Sequence, residues 1–386
     1  MKKVTALIMA ATMTMTMVTA GCSNGGSASS AAEPAAASAN SAASSEAAGG
    51  GKTYHFEIVS KGFQSTYWQA VYKGAEAELE KLNSDAKYQK YSMNFVGPDS
   101  ESDIAVQVQE FTSALNAKPD AIGLAALDVN ALLDSIKAAQ SSKIPIIGFD
   151  SGVPKAPEGS VLANASTDNY AAGKAAADGL YEKIKGSIGQ KQVRIGEVNQ
   201  DATSESITNR GLGFIDRMIE LLKADNHTVF VTGNDKYVGS CKGSTGKEAD
   251  ADVIIEVRVP SQTTTELCAT EAGVILNKKD TIAIFGSNQV AAEGIITANE
   301  TLNVCGSEDG KIIAIGFDSG KVIKAAVTDG TMYGAVTQAP VQIGKVLIDL
   351  LADSAEGKAV KDTDTGCQFY TKDNISSQEI AQNLYD

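Results

Sequence analysis

Histidine is nearly absent: the 386 residues contain only His55 and His227, in unrelated contexts. A histidine-centred triad or base is therefore not expected. Five cysteines occur and no two form a Cys-x-x-Cys pair, so a zinc site is not expected either. Basic residues are scarce: 33 Lys and Arg stand against 47 Asp and Glu, for a net charge of −14. That balance argues against nucleic acid as a partner, because phosphate backbones need basic surface. Beyond the first residues no segment approaches the ~18 apolar residues of a membrane-spanning helix. Nucleotide motifs are missing too. Gly243-Ser-Thr-Gly-Lys247 has Cys241 where a phosphate loop needs its first Gly and Glu248 where it needs Ser or Thr. No Gly-x-Gly-x-x-Gly opens a helix after a strand. Asp362-Thr-Asp-Thr-Gly366 starts like a calcium loop but lacks the Gly and closing Glu at their positions. No cofactor, no metal and no catalysis are expected.

What is present begins with an export signal. Lys2 and Lys3 precede an apolar stretch from Val4 to Val18, and Thr19, Ala20 and Gly21 lead to Cys22. This pattern predicts a lipoprotein signal over 1–21, with Cys22 as the lipidated residue. Residues 22–52 are mostly Ser, Ala, Gly and Asn. Such a segment buries too little apolar surface to offset its ordering entropy and reads as a flexible linker. The chain is then held to the cell membrane, outside the cytoplasm, by its N-terminal lipid. The 334 residues from Thr53 to Asp386 suit two domains of ordinary size. Export permits disulfides among Cys241, Cys268, Cys305 and Cys367. Four cysteines allow three pairings, and buried free thiols are an equally open reading.

The hexapeptide Ile-Gly-Phe-Asp-Ser-Gly occurs at Ile147–Gly152 and again at Ile315–Gly320. Each copy ends a short apolar run, as a buried parallel strand does at its C-terminal end. Ligands of open α/β sheets bind at that end. Other pieces recur in order: Asn94–Asp99 with His227–Asp235, Lys118–Ile122 with Lys279–Ala283, and Gly74 with Gly213. Strands are expected near 54–59, 92–96, 120–124 and 144–149, and helices near 66–82, 102–116 and 128–141. The pattern repeats over 192–328, apart from 236–258, which reads as an inserted loop and an extra strand at Val253–Val259. Helical stripes Ile104, Val108, Phe111, Leu115 and Ile207, Ile215, Met218, Leu222 support the alternation. Alternating strands and helices imply an α/β fold with parallel sheets.

Seven motifs in order carry a family resemblance. They are Tyr67-Trp68, Ile144–Asp150, Ser166–Asn169, Arg210–Phe214, Gly286–Asn288, Gly316–Asp318 and Gln338–Pro340. Together they resemble the type I periplasmic sugar-binding proteins, the ribose/galactose-binding class that serves ABC transporters, over essentially all of 54–370. Lactose-repressor-like regulators share that receptor fold, but here a signal and linker stand where they carry a DNA-binding helix-turn-helix. The resemblance implies two Rossmann-like lobes with parallel sheets, the periplasmic binding protein type I fold, joined by a three-strand hinge. The lobes would be 53–164 with 339–362 and 165–338 with 363–386. It further implies a monomer that captures a small sugar and passes it to an ABC transporter permease. A receptor handing its closed state to a sensor kinase or chemoreceptor is the alternative.

Asp150 and Asp318 are the first site candidates, since a carboxylate accepts several bonds from vicinal hydroxyls. Helix capping is the competing explanation. It suits Asp318, followed by an expected helix at Lys321–Val327, and not Asp150, followed by Ser-Gly-Val-Pro. Tyr67 and Trp68 offer aromatic faces to the C–H face of a sugar ring, with Phe63 a weaker third. The resemblance adds Arg210, Asn288 and Gln338 as ligand-binding residues. Ala125-Ala126 and Ser151 depart from the ribose class and leave the sugar open.

Overall fold

Each half of the chain alternates strand and helix, and each half builds its own sheet. The computed structural model describes residues 51–85, 90–189, 191–243 and 246–386. Cys22, the expected signal and all but the last two residues of the expected linker lie outside the described residues. The first half runs β1 (Thr53–Val59), α1 (Thr66–Asp85), β2 (Lys90–Val96), α2 (Ile104–Asn116), β3 (Ala121–Leu124), α3 (Val129–Ser141), β4 (Ile146–Phe149) and β5 (Val161–Ser166). The second continues with α4 (Asn169–Ile184), β6 (Val193–Val198), α5 (Glu205–Ala224), β7 (Val229–Gly233), α6 (Asp235–Ser240) and β8 (Val253–Arg258). Then come α7 (Thr265–Leu276), β9 (Thr281–Gly286), α8 (Gln289–Leu302), β10 (Ile313–Phe317), α9 (Lys321–Asp329) and β11 (Gly334–Gln338). The chain closes with α10 (Pro340–Ala355), β12 (Thr363–Asp364), β13 (Cys367–Thr371) and α11 (Gln378–Ala381).

Among the described residues the first sheet has the order β12-β5-β4-β3-β1-β2 and the second β13-β11-β10-β9-β6-β8-β7. All pairings are parallel except β11 with β13. Local chemistry sets the boundaries. Asp128, Asp168, Thr264 and Asn288 cap α3, α4, α7 and α8 with side-chain oxygens, and Pro340 opens α10, where its missing N–H costs nothing. Strands β3, β4 and β10 are buried along their length, as sheets covered by helices on both faces require.

The chain passes from the first sheet to the second after β5, returns after β11, and passes again after β12. Strands β5 and β12 hold the first sheet to Ser166 and Asp364, two residues beyond the 164 and 362 read from the sequence.

The matched glycines Gly74 and Gly213 do the same job in both halves. A Cβ on Gly74 would sit 2.0 Å from the Val341 carbonyl of α10, and one on Gly213 2.2 Å from the Tyr170 carbonyl of α4. Gly344 and Gly173 complete the two contacts from the opposite helices, each with a would-be approach of 2.0 Å. Helices α1 and α10, and α4 and α5, thus touch backbone to backbone, which leaves no room for a side chain.

One part of the repeat needs correction. Strand β8, not β7, lies beside β6 as β2 lies beside β1, and β8 leads through α7 to β9 as β2 leads through α2 to β3. His227–Asp235 is therefore not the counterpart of Asn94–Asp99; β7 is the extra strand, at the sheet's edge. The physical reason is burial. Val253–Val257 is buried throughout and suits an interior strand, whereas β7 alternates toward solvent. Short apolar runs alone do not tell the two apart.

Cys268, Cys305 and Cys367 carry free thiols, and the Cys241 thiol donates to the Val238 carbonyl at 3.4 Å. Cys268 and Cys305 are buried, as the second of the two readings has it for some of the four.

Candidate functional site

The parallel strands of both sheets end facing one cleft, and the helices that follow begin there. Tyr67 and Trp68 lie in the first turn of α1; Ser206 and Arg210 lie in the first two turns of α5. Asp150, Asn288, Asp318 and Gln338 stand at or just past the ends of β4, β9, β10 and β11. Of the eight residues singled out in the sequence, all but Phe63 line one cavity of about 30 Å³. That is room for one or two water molecules.

The duplicated turn has one backbone shape. Asp150 and Asp318 both have left-handed φ, 52° and 71°, and Gly152 and Gly320 follow at 62° and 96°. In each copy the Asp amide donates to the neighbouring strand, to Ala165 O at 3.0 Å and to Val336 O at 2.6 Å. A non-glycine residue in this region is strained by roughly 1–2 kcal/mol, a pattern concentrated at functional sites. The capping explanation of Asp318 does not hold. Helix α9 is preceded by Gly320 and receives no side-chain cap. The Asp318 carboxylate instead accepts from Gln338 Nε2 at 2.7 Å and from the Gln289 amide of α8 at 3.1 Å. Burial raises its pKa, against the pull of Arg210 and Gln338.

Asp150 accepts from the Tyr67 hydroxyl at 2.7 Å and faces Lys61 Nζ at 3.3 Å. Lys61 is 3% exposed, so burial disfavours its charge; Asp150 and Glu101 more than offset this, and its pKa is raised. Arg210 is 2% exposed. It donates to Ser287 O at 2.7 Å and to Asn169 Oδ1 at 2.7 and 3.3 Å, and its guanidinium lies 3.6 Å from the centre of the Phe317 ring. Trp68 stands edge-on to Tyr67 and Phe149 and donates Nε1 to Glu101 Oε1 at 2.8 Å. Among the described residues, two buried oxygens on lining side chains have no hydrogen-bond partner: Asp150 Oδ2 and Gln338 Oε1.

Phe63 is not in this cavity. It packs against Tyr72 and Phe95 beside the first sheet. Ser151 is buried and donates to Ala126 O at 2.9 Å, and Ala125 and Ala126 are core residues rather than cavity walls. Sequence reasoning missed Lys61, Glu101, Gln200 and Ser206, which also line the cavity. Lys61 and Gln200 each lie two residues past the end of a strand, β1 and β6. The strand-end rule, applied to every strand rather than to the repeated motif, finds both.

Residues 56–359 match the periplasmic binding protein domain family. The chain belongs to that family. Within it, the chain is 23% identical over 297 residues to the ribose import binding protein of Bacillus subtilis, covering 77% of this chain and 80% of the relative. Similar solved structures include an ABC transporter, LacI family transcriptional regulator, from Brachyspira murdochii. It is 32% identical with a TM-score of 0.69, covering 86% of this chain and 99% of that one. An ABC transporter solute binding protein from Agrobacterium vitis with bound D-fucose is 29% identical with a TM-score of 0.70, covering 86% and 100%. Family membership agrees with the parallel α/β architecture and the two sheets described above.

Proposed function

We propose that this chain is a lipid-anchored extracytoplasmic receptor that captures a small sugar in the cleft and delivers it to an ABC transporter permease. One observation carries the reading. Two buried acceptors, Gln338 Oε1 with no hydrogen-bond partner and Asp150 Oδ2 with only the Lys61 ammonium facing it at 3.3 Å, share a wall with the rings of Tyr67 and Trp68. A monosaccharide offers the complement: donating hydroxyls around its rim and an apolar C–H face. The names of similar proteins support it, including the ribose import binding protein and the solute binding protein with bound D-fucose. Several hydrogen bonds to charged groups at ~1.5–3 kcal/mol each, with stacking, would reach micromolar affinity.

The cavity of about 30 Å³ is too small for a sugar ring. Entry therefore requires the lobes to part. The three sheet-to-sheet passages, at 166–169, 338–340 and 364–367, are the natural hinge. The two lobes would then move as units bounded near those passages, in a monomer. The membrane anchor is Cys22, and the following linker gives the receptor its reach.

A thermal-shift screen of the purified chain tests the reading, with D-ribose, D-arabinose, D-fucose, an inositol and a nucleoside. A ligand that binds only the folded state at 100 times its Kd stabilises it by about 2.7 kcal/mol and raises the Tm. If no sugar raises the Tm while an unrelated ligand class does, the sugar reading is wrong.

A further inference from the structure

The loop between β2 and α2 reaches across the cleft. Glu101 sits at its centre and uses both carboxylate oxygens. Oε1 accepts from Trp68 Nε1 of its own lobe, and Oε2 accepts from Gln200 Nε2 of the other lobe, each at 2.8 Å. Gln200 Oε1 in turn accepts from Asn288 Nδ2, and Asn288 Oδ1 caps α8 through the Ala291 amide at 3.1 Å. A row of hydrogen bonds thus runs Trp68, Glu101, Gln200, Asn288. It joins an aromatic candidate of one lobe to an amide candidate of the other. The adjacent Ser102 strengthens the contact: its Oγ accepts from the Thr263 amide at 2.7 Å, and Thr263 Oγ1 donates to Gln200 O at 3.4 Å. Lys61 Nζ lies 3.6 Å from Glu101 Oε2 and adds an ion pair to the same carboxylate.

We propose that Glu101 and Gln200 form a latch across the cleft that holds the closed state and fixes the orientation of Trp68 and Asn288. Both are positioning residues. They act on ligand affinity through closure and through the residues they orient. The latch rests on the receptor reading only for its effect on sugar affinity; its effect on closure is independent of any ligand. A carboxylate is needed because two donors converge on it from opposite lobes. A glutamine at 101 puts an NH2 group where one of the two oxygens stands, so one of the donors, Trp68 Nε1 or Gln200 Nε2, is left facing another donor.

The test uses Glu101→Gln, Gln200→Ala and the double variant in the full chain, with Tm measured first to establish folding. Small-angle X-ray scattering gives the closed fraction without ligand and with D-ribose, D-arabinose or D-fucose at saturation. Stopped-flow gives the dissociation rate of whichever sugar binds. Each single variant is expected to lower the closed fraction and to speed dissociation about tenfold, and the double variant to lose less than the sum of the singles, because both act on the Glu101–Gln200 contact. Additive losses, or a closed fraction unchanged from the parent, overturn the latch. So does a parent no more closed than Glu101→Gln in the ligand-free solution. If none of the sugars binds, the receptor reading fails, while the ligand-free scattering still decides the latch.

Discussion

Arg210→Met strips one buried cation from the cleft and leaves its surroundings in place. The methionine keeps an apolar stem against Phe317 but donates nothing. Ser287 O loses one donor and Asn169 Oδ1 two, and Asp318 loses the guanidinium 3.9 Å from its Oδ2. A stranded buried acceptor costs about 1–3 kcal/mol, and removing one partner of a buried ion pair costs about 3–5 kcal/mol. These overlap, and 3.9 Å is a long ion pair, so a loss of roughly 4 kcal/mol is expected at neutral pH. The loss must depend on pH. Burial already raises the Asp318 pKa above its ordinary value, and Arg210 holds it down. Without Arg210 it rises further. A carboxyl whose folded pKa is raised gives stability that is present at low pH and lost as pH rises through that pKa. The gap between variant and parent should therefore be wider at pH 8 than at pH 5. Urea unfolding at both values measures it. A gap of less than about 1 kcal/mol at pH 8, or the same gap at both, would refute the assignment of Arg210 as the counter-charge of Asp318.

Three further outcomes are expected. Gly74→Ala should cost at least 1–3 kcal/mol, roughly the penalty of overpacking, because its new methyl meets the Val341 carbonyl; Gly239→Ala, with nothing within 4 Å, should be near neutral in the same unfolding assay. Burial beside Glu78 raises Asp349 from 3.8 to about 6, so the parent should lose stability as pH rises across that window and Asp349→Asn should not, when the two are followed by thermal unfolding. Tyr67→Phe removes the donor to Asp150 Oδ1 and should weaken the sugar found in the screen by about tenfold in calorimetry, whereas Phe63→Ala, outside the cavity, should leave affinity unchanged.

The alternation of strands and helices was legible because buried strands and amphipathic helices have different periods. The ends of β4 and β10 were legible for a second reason: the repeated Asp-Ser-Gly marks the same left-handed turn twice. All seven residues chosen on motif and family order meet in one cavity. The positions of Lys61 and Gln200 follow from the strand-end rule, but their roles and that of Glu101 were not legible, because nothing local distinguishes a Lys that meets two carboxylates of its own lobe and a hydroxyl of the other from a solvated one. Their roles depend on contacts between residues 99 to 145 positions apart, Gln200 with Glu101 and Lys61 with Ser206. The helix cap weighed as the competing explanation for Asp318 failed for the same reason. Its partners, Gln289 and Gln338, are neighbours in space and not in sequence. The strand pair β7 and β8 was misread because two short apolar runs compete for one place, and only burial on both faces chooses between them.

Strand β7 and helix α6 enlarge one half and have no counterpart in the other. They stand at the far edge of the second sheet, away from the passages between sheets. An addition at such a rim could have been mere ornament. Here it reaches inward at one point. Tyr237 of α6 is wholly enclosed, and its hydroxyl donates to Asp201 O at 2.9 Å, directly behind Gln200. Growth at the margin has become a buttress for a working loop. The two halves share a plan, yet neither could now replace the other.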